Sequence, residues 1–278
     1  MTRKIFVFFF LLLMGSTTLA QAEEKESAYE RVIRTGTIRC GYIAWKPYFY
    51  YQDLNDPSSK TGISFDLMNT IGKTLDLKIE WTEEVGWGNI GEGLKAGRYD
   101  MACVSMWPDA PKYKNFLLTR PMYYSAIYSW VRADDNRFDG DINKINKPDV
   151  KIAAVDGAFS YNLAKEIFPD AGIASISPMA QSAEYYMTVV SGKADIINTD
   201  SDEMAAFLEN NAGKLRMVKD VEPLRLYPHV MGIPADSPQM KDMVDSALGF
   251  LIDNGFMDGI VKKYNLELVT PQKGMSEK

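Results

Sequence analysis

Four stretches of the 278-residue chain gather polar, acidic and aromatic side chains that could hold or act on a small molecule. The first runs Leu94-Lys95-Ala96-Gly97-Arg98-Tyr99-Asp100, then through the apolar run Met101-Ala102-Cys103-Val104 to Ser105. A helix ending on Gly97, which can take the left-handed conformation of a helix terminus, turns into a run suited to a strand buried on both faces. Ser105 then sits at the strand's carboxyl end, where open α/β sheets bind ligands. The second stretch repeats the phrase as Val190-Ser191-Gly192-Lys193-Ala194-Asp195-Ile196-Ile197, ending on the polar Asn198-Thr199-Asp200. The third is the aromatic loop Tyr42-Ile43-Ala44-Trp45-Lys46-Pro47-Tyr48-Phe49-Tyr50-Tyr51, with more rings than a plain loop leaves in water. The fourth, Gly157-Ala158-Phe159-Ser160, joins a strand to a helix N-terminus, where backbone N–H groups can receive an anion. Polar strand ends, rings and a helix N-terminus are tools for holding a small solute.

Other chemistries are poorly supplied. Two cysteines and one histidine are too few for a thiolate or imidazole metal site, and no cofactor motif is present. His229, between Pro228 and Val230, reads as a structural residue rather than a base. Cys40 and Cys103 lie inside apolar strand-like runs and read as buried thiols; a bridge is the alternative if their strands are neighbours. Asp135, Asp139 and Gly140 outline a calcium loop, but Arg137 and Asn146 occupy two of its ligand positions, so a solvated loop is expected.

The elements that must position these groups follow from periodicity. Residues 1–22 have a charged start, an apolar core from Ile5 to Met14 and an Ala20-Gln21-Ala22 cleavage site, the pattern of a cleaved export signal. No cysteine lies near that site, so no lipid anchor is expected, and the exported chain is assigned to the periplasm. Its charge is acidic, −6 for the whole chain and more so without Arg3 and Lys4, which argues against nucleic acid or an anionic membrane surface as partner. After a first strand near Thr37–Tyr42, helical spacing appears over 62–75, 88–96, 182–190, 201–210 and 239–253. Strands are expected at 78–81, 100–105, 151–155, 173–176, 195–199 and 215–218. Two longer apolar runs, 123–131 and 224–233, could cross between two lobes, the second of which begins at Lys151.

The order and spacing of several short motifs carry a family resemblance over nearly all of the exported chain. They are Gly36-Thr37-Ile38-Arg39-Cys40-Gly41, Pro47-Tyr48, Gly62-Ile63-Ser64-Phe65-Asp66-Leu67, Gly97 to Asp100, Thr119-Arg120-Pro121, and Gly192 through Asp200. The chain resembles bacterial periplasmic solute-binding proteins of the polar-amino-acid class (family 3 type), the receptors of ABC importers. The resemblance implies a type II periplasmic-binding-protein fold, with two α/β lobes joined by two crossing strands. Lobe 1 would be 23–128 and 232–278, and lobe 2 would be 129–231. Partners would be a small-molecule ligand and an inner-membrane permease, the receptor acting as a non-catalytic monomer.

By the same resemblance, the arginine that holds an amino acid's carboxylate falls on Lys112, and its threonine on Asp109. Backbone and hydroxyl contacts to that carboxylate fall near Ala158 and Phe159, beside Ser160. The acid that holds the α-amino group falls on Asp200. Ser105 matches a polar contact and Trp45 a covering ring, while Trp107 and Phe159 replace small polar residues. An acid with rings from Tyr42, Trp45, Trp107 and Phe159 favours a cation held by charge and ring faces. The alternative is that Trp107 and Phe159 are packed away and Lys112 binds a carboxylate. Two further readings are an enzyme resembling cyclohexadienyl dehydratases, with Asp200, Asp202, Glu203 or Glu184 as its acid, and a ligand-binding partner of a membrane sensor.

Overall fold

The computed structural model describes residues 26–108, 114 and 116–270. The expected export signal and Lys112 lie outside the described residues. Helix α1 (Ala28–Thr35) starts where Ser27 accepts the Glu30 N–H at 3.2 Å and Glu30 accepts the Ser27 N–H at 2.9 Å, and it ends on left-handed Gly36. There follow β1 (Thr37–Tyr42), the hairpin β2 (Tyr50–Tyr51) and β3 (Lys60–Thr61), α2 (Ile63–Leu75), β4 (Lys78–Glu84), α3 (Ile90–Ala96), β5 (Met101–Met106) and β6 (Phe116–Leu118). The long β7 (Tyr123–Arg132) leads to β8 (Lys151–Val155), α4 (Phe159–Ile167), β9 (Gly172–Ile176), α5 (Ser182–Val190), β10 (Ile196–Asp200), α6 (Ser201–Leu208) and β11 (Leu215–Met217). The chain returns through β12 (Arg225–Pro234) and ends in α7 (Pro238–Asp253) and α8 (Phe256–Tyr264).

Hydrogen-bonded strands follow the order β4-β1-β5-β12-β7-β10-β8-β9. The parallel strands β4, β1 and β5 form one lobe's sheet, and β10, β8 and β9 the other's. Strands β7 and β12 run antiparallel between them: β12 pairs with β7 over Arg225–His229 and with β5 from Val230 onward. Helix α2 lays Ile63, Leu67, Met68 and Ile71 on the first lobe, and α7 adds Met240, Val244, Leu248 and Leu251. All six residues of β5 are buried, as its unbroken apolar run requires.

The repeated Gly-to-Asp phrase has one physical cause in both lobes. The Asp100 N–H donates to the Arg39 carbonyl and its carboxylate accepts the Arg39 N–H at 2.8 Å. The Asp195 N–H donates to the Lys151 carbonyl and its carboxylate accepts the Lys151 N–H at 2.9 Å. Each aspartate thus ties the start of its own strand to the strand beside it. Arg31 and Arg39 neutralise Asp100, and Arg137 neutralises Asp195. Breaking such a pair at the fully buried Asp100 would cost about 3–5 kcal/mol.

Cys40 and Cys103 are not free thiols. They form a disulfide with their Cα atoms 5.4 Å apart. Strands β1 and β5 are parallel neighbours with Cys40 opposite Met101, so Cys103 lies diagonally across the ladder within bonding reach. Among the described residues no group of side chains is arranged to hold a metal ion, and the 134–149 segment is a loop with one 3-10 turn at Ile142–Ile145.

Candidate functional site

Strand ends from both lobes and the two crossing strands converge on a cavity of about 50 Å³ between the lobes. Trp45, Trp87, Trp107, Phe159 and Tyr185 wall it with rings, and Ser105, Ser160, Glu203 and His229 supply its polar atoms. Larger hollows are present too, such as the groove of about 660 Å³ between α2 and α8, whose Asp66 and Lys263 are paired to each other.

The floor is a hydrogen-bonded chain that crosses the hinge. Ser105 ends β5, Ser125 lies on β7 and His229 on β12. The Trp107 indole N–H donates to His229 Nε2 at 3.0 Å, so Nε2 is an acceptor and the proton of the neutral ring sits on Nδ1. Nδ1–H then donates to Ser105 Oγ at 3.0 Å, and Ser105 also bonds the Tyr123 hydroxyl. Ser125 Oγ lies 2.7 Å from Nε2. Burial lowers the His229 pKa to about 3, so it adds no charge. His229 is therefore more than the structural residue its Pro-His-Val setting suggests: it lines the cavity.

Two buried acids stand beside this floor. Asp200, at the end of β10, caps α6: its Oδ1 accepts the Glu203 N–H at 2.8 Å. Its Oδ2 accepts the Tyr48 hydroxyl at 2.8 Å, a bond from one lobe to the other, and lies 4.0 Å from His229 Nε2. Burial raises its pKa, opposed by those hydrogen bonds. Asp200 is 1% exposed and does not line the cavity. Glu203, one turn into α6, does. Its Oε2 accepts from Thr199 at 2.5 Å and Tyr186 at 3.3 Å. Burial, and then the Asp200 charge, push its carboxyl up to about 8.

The expected site residues divide. Trp45, Ser105, Trp107, Phe159 and Ser160 all line the cavity. Trp107 and Phe159 meet with ring centroids 5.2 Å apart and keep a face on it, rather than being packed away. The Ser160 hydroxyl is committed to the Val155 N–H at 3.1 Å, which holds the turn that Gly157 makes at a φ of 66°. Tyr42 turns away: its hydroxyl meets Tyr51 at 3.1 Å and its ring packs on Phe49 and Trp81. Glu203, expected at the site only as a candidate acid of the enzyme reading, lines it too, and His229, Trp87 and Tyr185 were not expected there.

The lobes touch across the cleft mouth as well. Lys46 pairs with Glu209, and Gly88 approaches Pro178 so closely that a Cβ there would lie 2.9 Å from the proline's Cβ.

A family model for bacterial extracellular solute-binding proteins, family 3, matches residues 38–267. The chain belongs to this family. Among solved structures it is similar to the ancestral amino acid-binding protein AncCDT-1, described as a precursor of cyclohexadienyl dehydratase, at 26% identity over 86% of this chain and 99% of that one, with a TM-score of 0.72. It is also similar to the amino acid ABC transporter substrate-binding protein AbpA from Streptococcus pneumoniae Canada MDR_19A, bound to L-arginine. There the identity is 18% over 84% of this chain and 97% of that one, with a TM-score of 0.72. An ancestral arginine-binding protein bound to glutamine matches at 19% identity over 82% of this chain and 97% of that one, with a TM-score of 0.70. The last two likenesses speak to the fold alone. The architecture is that of a two-lobed type II binding protein, and the family's role is to bind a solute.

Proposed function

We propose that this family member captures a small solute with an ammonium-type cationic group and an apolar body, an amino acid or an amine, and delivers it as a periplasmic monomer to an ABC permease of the inner membrane. The solute sits where Trp45, Ser105, Trp107 and Phe159 meet, and the lobes close over it. One observation carries the reading: a buried acid, Glu203, faces a ring-walled cavity. A desolvated cation against such rings gains about 2 kcal/mol per good contact.

The test is thermal unfolding of the exported chain against amino acids, amines, sugars and cyclic acids. A solute at 100 times its Kd should add about 2.7 kcal/mol. A shift with one amine or amino acid supports the reading; shifts confined to uncharged or purely anionic solutes refute it. A second reading, an enzyme on this fold, is favoured by the raised pKa of Glu203, which leaves a protonated acid at the cavity near neutral pH, as a general acid requires. Consumption of a cyclic acid, followed by chromatography, would establish it.

A further inference from the structure

We propose that Glu203, and not the strand-end Asp200, receives the cationic group of the solute, while Asp200 and Tyr48 form the tie that holds the lobes shut. The inference rests on the ammonium-solute reading above and names the residue that carries it.

The oxygens of Asp200 are already in use. One accepts a helix N–H and the other a hydroxyl from the opposite lobe, both at 2.8 Å, and the group stands outside the cavity lining. A solute that took Oδ2 would have to break the bond that closes the lobes on it. Glu203 is arranged differently. Both of its well-formed hydrogen bonds converge on Oε2. Opposite, on the other lobe, the buried Trp45 indole N–H makes no hydrogen bond of good geometry and reaches only Glu203, loosely, which eases its ionisation. A poorly met acceptor and a poorly met donor therefore share one cavity. Such groups are rare in folded proteins, and each left unmet costs about 1–3 kcal/mol. A solute whose cationic N–H meets Oε1 and whose neighbouring acceptor atom meets Trp45 would satisfy both and bridge the lobes.

From β10 Glu203 faces Thr199 and Asp200, from β7 Tyr123, from α5 Tyr185 and Tyr186, from the loop over 42–51 Trp45 and Tyr48, and from β12 the neutral His229, none of them cationic. Lys46 lines a second hollow with Glu203, and its charge is paired with Glu209. Glu203 accordingly holds its proton near neutral pH between the closed lobes, and an arriving ammonium group displaces that proton to solvent.

The test is calorimetry with isobutylamine, phenethylamine, L-leucine and L-arginine at pH 6, 7 and 8, in two buffers of different ionisation enthalpy. The expected result is that at least one probe binds with an affinity rising roughly tenfold per pH unit, releasing close to one proton at pH 7. Glu203→Gln should weaken it at least 100-fold and abolish the pH slope. Asp200→Asn should weaken it about tenfold, through closure, and keep the slope. If Asp200→Asn abolishes binding while Glu203→Gln keeps wild-type affinity, the assignment of Glu203 is overturned and the ammonium reading stands. If no cationic probe binds while neutral or anionic solutes do, both fall. Should Glu203→Gln fail to fold, the wild-type proton count decides: binding of a cationic probe with no proton released overturns the assignment.

Discussion

Replacing both bridged cysteines by alanine should lower folding stability by roughly 5 kcal/mol and leave the fold intact. The bond spans a sequence separation of 63, and a loop of that length loses about 14 cal/mol/K of unfolded-state entropy on closure, or about 4 kcal/mol at 25 °C. Cys40 and Cys103 are fully buried, so removing their sulfur atoms adds about 1 kcal/mol of lost packing. For a domain of this size such a loss corresponds to a fall in Tm of about 10–20 °C. Calorimetric unfolding of the wild type and of Cys40→Ala/Cys103→Ala in one buffer measures it, with urea titrations to follow the m-value. The site should survive, because β1 stays held by its ladders to β4 and β5, whose end places Ser105 under the cavity. Solute affinity should then change less than tenfold. A Tm drop below about 3 °C at constant m-value would refute the loop-entropy reasoning, since the unfolded chain would already be confined without the bond. Collapse of the fold would refute it in the other direction, making the bond a requirement for β1–β5 register.

Other perturbations probe closure and charge. Tyr48→Phe removes the lobe-to-lobe hydroxyl and leaves Asp200 short of a donor, a loss of about 1–2 kcal/mol, so affinity should fall about 5–30-fold while small-angle scattering shows a more open average. Gly88→Ala places a Cβ against Pro178 and should hold the lobes apart, weakening affinity; unaltered affinity would mean that the cleft mouth does not set the closed geometry. The Glu203 pKa, raised from 4.5 to about 8 by burial, makes the folded closed state bind a proton that the unfolded chain has lost. Stability should therefore fall as pH rises between these values, by about 1.4 kcal/mol per unit. His229, lowered from 6.5 to about 3, works in the opposite sense only below pH 6.5. Asp202, raised from 3.8 to about 7 by burial, and Asp200, also raised, add in the same sense, so the Glu203 contribution is the difference in slope between wild type and Glu203→Gln in urea unfolding between pH 7 and 8, and the variant should be the flatter.

What the sequence made legible depended on whether the deciding contact was local. Helix ends at Gly36, Gly97 and Gly192 are local, because a left-handed residue closes its own turn, and all three glycines have positive φ. The recurrence of Gly97–Asp100 and Gly192–Asp195 was visible as an echo, but its cause was not. Each aspartate serves the first residues of a neighbouring strand, and strand order is not written in a period. The Cys40–Cys103 bond was hidden for the same reason: burial was readable, the pairing of β1 with β5 was not.

In the site, Trp45, Ser105, Trp107 and Phe159 were reachable because strand ends and their loops must meet the cleft in an α/β fold. Tyr42 also ends a strand, yet it stands outside the cavity lining because its side chain leans toward the hairpin rings, a choice made by Phe49 and Trp81 rather than by its own position. The acids show that a local signal can correct a positional one. Asp200-Ser201-Asp202-Glu203 opens a helix, and an aspartate at such a start spends an oxygen on the N–H three residues later. Taken with that bond, the sequence already separates an acid committed to its helix from one a turn further on and free to face the cavity. His229 follows by a similar step. A strand that crosses between lobes passes beneath the cleft, so a polar residue midway along it is placed to become the cleft's floor.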